Sequence, residues 1–141
     1  LVMFYVGDVR SASSILQEQD KNIKNGYCEV NQLNLCKLAR ELRNELNNGR
    51  IDSLGEILHD GWQLKRTLAT GISNPLIDQY YETAIKNGAI GGKLLGAGGG
   101  GFLLFYVKKD KRQDLISNMS LMEVPFRFDK QGSAIVYVGQ K

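Results

Sequence analysis

Apolar positions along the 141 residues change period several times, and each change predicts a new element. Residues 1–6, Leu-Val-Met-Phe-Tyr-Val, form an unbroken apolar run closed by Gly7-Asp8, the pattern of a buried strand. Ser11 to Ile23 reads as a helix with Ile15, Leu16 and Ile23 on its apolar side, and Ser14-x-x-Gln17 fits a capping box. From Leu33 to Leu46 the leucines 35, 38, 42 and 46 recur at helical spacing, with Lys37, Arg40, Arg43 and Glu45 on other faces. Asn47-Asn48-Gly49 ends that helix, and Ser53-Leu54-Gly55-Glu56 predicts a capped start for the next, which runs through Trp62 to Leu68. Asn74-Pro75 places an N-cap and a first-turn proline before Ile77, Tyr80, Tyr81, Ala84 and Ile85.

The second part of the chain turns to period two. A short strand is expected around Gly92–Leu95 and another at Phe102–Val107. Lys111 to Met119 follows as a helix. Glu123–Phe128 alternates Val124, Phe126 and Phe128 with polar positions, and a terminal strand is expected over Ala134–Val138. The order of elements is that of a β-α-β-β-α-β ferredoxin-like plait with two or three extra helices in the first crossover and one added terminal strand. The expectation is an α+β fold forming a single domain over residues 1–141.

Composition narrows the class. Apolar residues make up 43% and charged residues 23%, as in globular chains, and the net charge is +3. The basic residues are scattered and no basic run interleaves with aromatics, so the pattern gives no support to nucleic-acid binding. No apolar stretch approaches the roughly 18 residues of a membrane span, so no membrane partner is expected. Cys28 and Cys36 lie eight apart without metal-ligand spacing, and the single His59 does not complete a zinc set. These cysteines read as reduced thiols of a cytoplasmic protein. Since the chain opens inside a strand pattern at Leu1, it is expected to be a piece of a longer protein.

The candidate chemistry sits in one stretch. Seven of the 16 glycines fall between Gly91 and Gly101, directly ahead of Phe102–Val107. Glycine costs the most backbone entropy on ordering, so this density needs either left-handed backbone or a close approach by a ligand or another segment. Gly96-Ala97-Gly98-Gly99-Gly100-Gly101 matches G-x-G-x-x-G, but it joins two strands, whereas a dinucleotide loop joins a strand to a helix. Lys93 precedes the glycines and no Lys-Ser/Thr follows, which rules out a P-loop. A structural hairpin connection and an anion cup of successive N–H groups both remain open. Ser11, Ser13 and Ser14 are candidates either for capping or for ligand contact at a helix N-terminus, and Arg10 either pairs with a carboxylate or holds an anion. His59 has no nucleophile or carboxylate cluster beside it and reads as an exposed helix residue.

Lys93-Leu94-Leu95-Gly96-Ala97-Gly98-Gly99-Gly100-Gly101-Phe102 closely resembles the third signature motif of the GHMP small-molecule kinases. Further segments, 5–14, 61–65, 71–78 and 124–128, resemble the C-terminal half of the heptose 7-phosphate kinase branch of that family. The resemblance implies a ferredoxin-like domain with added helices. It also implies transfer of the ATP γ-phosphoryl group, with Mg²⁺, to the anomeric hydroxyl of a sugar phosphate, D-glycero-D-manno-heptose 7-phosphate. Gly96, Ala97, Gly98, Gly99, Gly100 and Gly101 would then lie at the nucleotide phosphates, and Arg10, Ser11, Ser13, Ser14 and Lys93 near the sugar phosphate. The family's second signature, P-x-x-x-G-L-G-S-S-A, and its acidic base do not occur in these residues. The partner implied is therefore the N-terminal nucleotide-binding domain of the same kinase, with no catalytic residue or metal ligand in this chain, which alone is expected to be inactive. The competing expectation is a stand-alone ferredoxin-like module that binds a small anion or regulates a partner.

Overall fold

The computed structural model describes residues 1–7, 12–132, 134 and 137. In chain order the elements are β1 (Val2–Tyr5), α1 (Ala12–Lys24), α2 (Glu29–Asn47), α3 (Ser53–Lys65), α4 (Pro75–Lys86), β2 (Ala89–Leu94), β3 (Phe102–Val107), a 3-10 turn (Lys109–Lys111), α5 (Arg112–Asn118) and β4 (Met122–Glu123). The sheet order is β2-β3-β1-β4 with every neighbouring pair antiparallel. The connection from β1 to β2 therefore passes over β3, and that from β3 to β4 passes over β1. These two interleaved crossovers make the plait expected from the sequence, with α1 to α4 in the first and α5 in the second.

Alternation along the central strands decides which face is buried. Val2, Phe4, Leu103, Phe105 and Val107 are buried, while Met3, Tyr5, Leu104 and Tyr106 between them are half-buried. The core assembles on the first set with Trp62 of α3, Ile77, Tyr81 and Ala84 of α4, and Leu115 of α5. Tyr81 stacks on both Trp62 and Phe105, with ring centroids 6.0 and 5.5 Å apart. Packing of α3 on β2 is tight enough to exclude side chains: a Cβ on Gly91 would lie 2.0 Å from the Gly55 carbonyl oxygen.

Several expected boundaries are confirmed by their chemistry. The Asn74 side chain accepts from the Leu76 and Ile77 N–H groups, with Pro75 in the first turn of α4. The glycine-flanked strand Phe102–Val107 matches its expected limits.

Others differ. Helix α2 begins at Glu29, four residues before the leucine pattern, and that turn carries no apolar periodicity, only exposed Val30 among polar side chains. Ser14 lies inside the first turn of α1, so the Ser14–Gln17 capping box does not form. The Ser53 capping box is also absent: Asp52 precedes α3 without a side-chain cap, and the Ser53 hydroxyl donates instead to Glu45 at 3.0 Å.

The strand expected over Glu123–Phe128 shrinks to Met122–Glu123, paired with Tyr5 and Phe4. The Val124 N–H still donates to the Met3 carbonyl at 2.8 Å, but Pro125 has no N–H to continue the ladder. Phe126 and Phe128 are exposed and pack edge-to-face on each other. The strand expected over Ala134–Val138 lies outside the described residues apart from positions 134 and 137.

Candidate functional site

The glycine loop is the β2–β3 connection, residues 95–101. Its base is closed by a Leu95 N–H bond to the Phe102 carbonyl at 2.8 Å. Its far side is held by two other segments. The Gly101 N–H donates to the Gly7 carbonyl at 3.1 Å, the Val6 N–H donates to the Gly101 carbonyl at 2.9 Å, and the Gly99 N–H donates to the Ile72 carbonyl at 3.0 Å. From α3, the Lys65 ammonium donates to the Gly96 carbonyl at 3.0 Å. Gly98 through Gly101 are buried by this clamp, and Gly96 is exposed.

The glycines are required by the backbone. Gly96, Gly98, Gly99 and Gly101 have φ of 82°, 122°, 78° and 99°, the left-handed region. At Gly98 a Cβ would also lie 2.6 Å from Ile72 Cα, so this position is excluded to side chains twice over. Part of the glycine requirement is thus met by the chain's own 71–73 segment. Among the described residues, the N–H groups of Gly96, Ala97, Gly98 and Gly100 donate to no main-chain carbonyl, those of Gly98 and Gly100 in buried residues. Donors in a side-chain-free turn of this kind suit an anion such as a phosphate.

The sequence-predicted residues divide into three groups. Arg10 and Ser11 lie outside the described residues. Ser13 and Ser14 are exposed on the first turn of α1. That turn is tied to the loop's surroundings, since Ile15 packs against Gly71, and Glu18 accepts from the Thr70 N–H and hydroxyl at 2.9 and 2.8 Å. The two Thr70 bonds, backbone first, hold the Glu18 carboxyl below its ordinary range. Gly7, just before the lead-in to α1, is itself bonded to Gly101. The fold therefore brings the start of α1, the 70–73 segment and the glycine loop to one end of the molecule. Lys93 instead lies on β2 beside Lys65, and both line a cavity between α2 and α3.

Two relationships had no sequence signal. One is the Lys65–Gly96 bond, which joins residues 31 apart. The other is the Tyr81 hydroxyl, which accepts from the Gly92 N–H at 3.3 Å. The same hydroxyl donates to the Gly92 carbonyl at 3.4 Å and lies 2.9 Å from His59 Nδ1, where the imidazole tautomer sets which group donates. His59 is thus half-buried against Tyr81 rather than an exposed helix residue. Burial raises the Tyr81 hydroxyl pKa to about 12, the Gly92 bond opposing that shift.

A cofactor fit follows from these residues. The loop offers donors to the phosphates of a nucleotide. Among the described residues no group of three or more His, Cys, Asp or Glu side chains is placed to hold a metal ion. Cys28 and Cys36 are both free thiols, the first buried and the second exposed. Among the described residues no helix is long and apolar enough to cross a membrane.

Comparison with known proteins places this arrangement. The family described as GHMP kinases C terminal matches residues 38–121. The chain is 29% identical to a D-glycero-alpha-D-manno-heptose 7-phosphate kinase of Campylobacter jejuni subsp. jejuni, over 93% of this chain and 40% of that protein. It is 32% identical to a bifunctional fucokinase/GDP-fucose pyrophosphorylase of Arabidopsis thaliana, over 82% of this chain and 12% of that protein. Among solved structures, L. major mevalonate kinase in complex with R-mevalonate superposes with a TM-score of 0.72 at 22% identity, covering 83% of this chain and 36% of that one. The chain spans well under half the length of each of these proteins. With its plait, its glycine loop between two strands and this family match, the chain belongs to the GHMP kinase C-terminal family.

Proposed function

We propose that this chain is the C-terminal domain of an ATP-dependent sugar kinase, and that Gly96–Gly101 closes the phosphate end of a cleft completed by an N-terminal nucleotide-binding domain. The observation that carries this reading is the loop itself: left-handed glycines with the Ala97, Gly98 and Gly100 N–H groups left over after the clamp to Ile72 and Gly7. When bound, ATP supplies the γ-phosphoryl group, and catalysis of its transfer rests on positioning and charge stabilisation. The residues of this chain contribute the fixed donors. Lys65 braces the loop through Gly96, and the glycines admit phosphate oxygens to main-chain distance.

The acceptor we propose is a sugar phosphate, the anomeric hydroxyl of D-glycero-D-manno-heptose 7-phosphate. The heptose 7-phosphate kinase relative, matched along 93% of this chain, supports it. Ser13 and Ser14, exposed on the first turn of α1, are the described candidates for contact with that substrate. The base and the Mg²⁺ ligands belong to the other domain, and the present chain alone has no phosphotransferase activity. The fucokinase relative, at 32% identity, favours a second reading in which the acceptor is an unphosphorylated sugar such as L-fucose.

Turnover by the full-length protein decides between these acceptors. The expected order is heptose 7-phosphate well ahead of L-fucose, galactose and mevalonate. Faster use of fucose assigns the second reading; no ATP-dependent turnover with any acceptor removes the kinase reading. Clear turnover by residues 1–141 alone removes the two-domain site.

A further inference from the structure

A second site lies beside the glycine loop, in the cavity of about 140 Å³ between α2 and α3. Leu38 and Leu42 of α2 face Leu58 and Trp62 of α3 across it. Two observations separate it from an ordinary packing gap. Lys65 and Lys93 both line it, and among the described residues neither has a carboxylate partner. Trp62 of the cavity wall is fully buried, its indole N–H included, and that N–H has no hydrogen-bond acceptor among the described residues. Buried donors in folded proteins are almost always paired, and a partly buried pair of like charges is costly unless an anion joins it. Burial, followed by the nearby Lys93 charge, lowers the Lys65 pKa.

We propose that this cavity binds a small amphiphilic anion, an aryl or short-alkyl phosphate or carboxylate. Its charged head sits between Lys65 and Lys93 and its apolar body lies among the leucines. The volume suits such a body, since a dry apolar cavity of about 150 Å³ holds one benzene ring. Charge-assisted bonds to the two ammonium groups fix the head. The site is independent of the kinase reading, but it shares Lys65 with the brace on Gly96, so an occupant sits one residue from the glycine loop.

Phenyl phosphate is the probe, titrated by calorimetry into the natural polypeptide that carries this chain. The Trp62 indole N–H resonance, identified with a Trp62→Phe variant, is followed in parallel. Saturable binding with a shift of that resonance is expected, with inorganic phosphate and benzyl alcohol each at least tenfold weaker. Lys93→Met, which removes half the charge, and Ala39→Phe, which fills the cavity from exposed Ala39 of its wall, should each weaken phenyl phosphate at least fivefold. Absence of saturable binding overturns the proposal. So does binding that leaves the Trp62 resonance unmoved, or binding that both variants leave unchanged, since either places the ligand elsewhere.

Discussion

Ile72 sits against Gly98 so closely that its Cα leaves 2.6 Å for any Cβ there, while its carbonyl holds the neighbouring Gly99 N–H at 3.0 Å. The loop is therefore positioned by the fold before any ligand arrives. Gly98→Ala meets both a backbone clash and a φ of 122°, and it should cost roughly 2 kcal/mol or more of stability. Gly96→Ala meets nothing within 4 Å and pays only for its left-handed φ of 82°, about 1 kcal/mol. Urea midpoints of the two variants should separate in that order.

Gly61 behaves in the opposite sense. Its added Cβ would meet Leu35 at 3.8 Å and Leu38 at 4.0 Å, ordinary contact distances, within a regular stretch of α3. Helix propensity then favours alanine, and Gly61→Ala should raise stability by about 1 kcal/mol. A thermal melt with a higher midpoint is the expected result.

Tyr81→Phe tests the cover over the β2 edge. The hydroxyl accepts from the Gly92 N–H and donates to the Gly92 carbonyl, both within the core. Its loss leaves a buried strand donor unpaired, at a cost of about 1–3 kcal/mol. Hydrogen exchange at the Gly92 amide should accelerate in the variant, in step with the loss of stability.

The turn between α2 and α3 predicts an acid dependence. Bonds from Arg50 and then Ser53 bring the Glu45 pKa down to about 2 from an ordinary 4.5. The unfolded chain therefore takes up a proton at higher pH than the folded chain does. The stability this contributes is complete above about pH 4.5, and it is lost as pH falls from there through about 2. Glu18, lowered by Thr70, acts in the same direction. Glu45→Gln should flatten this part of the stability–pH curve, and the Glu45 carboxyl carbon shift should titrate near pH 2 in the wild type.

Local chemistry made much of this fold legible. Asn74-Pro75 announces the start of α4 because the cap and the proline act within one turn, and Phe102–Val107 announces β3 by its aromatic and β-branched run. The glycine cluster also marked its own location, since only left-handed or crowded backbone repays so many glycines. What stayed hidden depends on partners distant in sequence. Alternation through Phe126 and Phe128 signals strand character but not where pairing with β1 stops, which Pro125 decides. Ser53, the first residue of α3, resembles the start of a capping box until Glu45, eight residues earlier, takes its hydroxyl. Neither the Lys65 brace on Gly96 nor the half-burial of His59 against Tyr81 follows from spacing, because the first is set by how α3 lies against the glycine loop and the second by how it lies against α4.

The central claim is that the loop's spare N–H groups meet nucleotide phosphates. It is tested most directly by amide chemical shifts in the full-length protein during titration with a non-hydrolysable ATP analogue and Mg²⁺. The Ala97, Gly98 and Gly100 amides should shift saturably, at one shared dissociation constant, while amides of the α2–α3 turn around Arg50 stay in place. Binding of the nucleotide with those three amides unmoved would contradict the account.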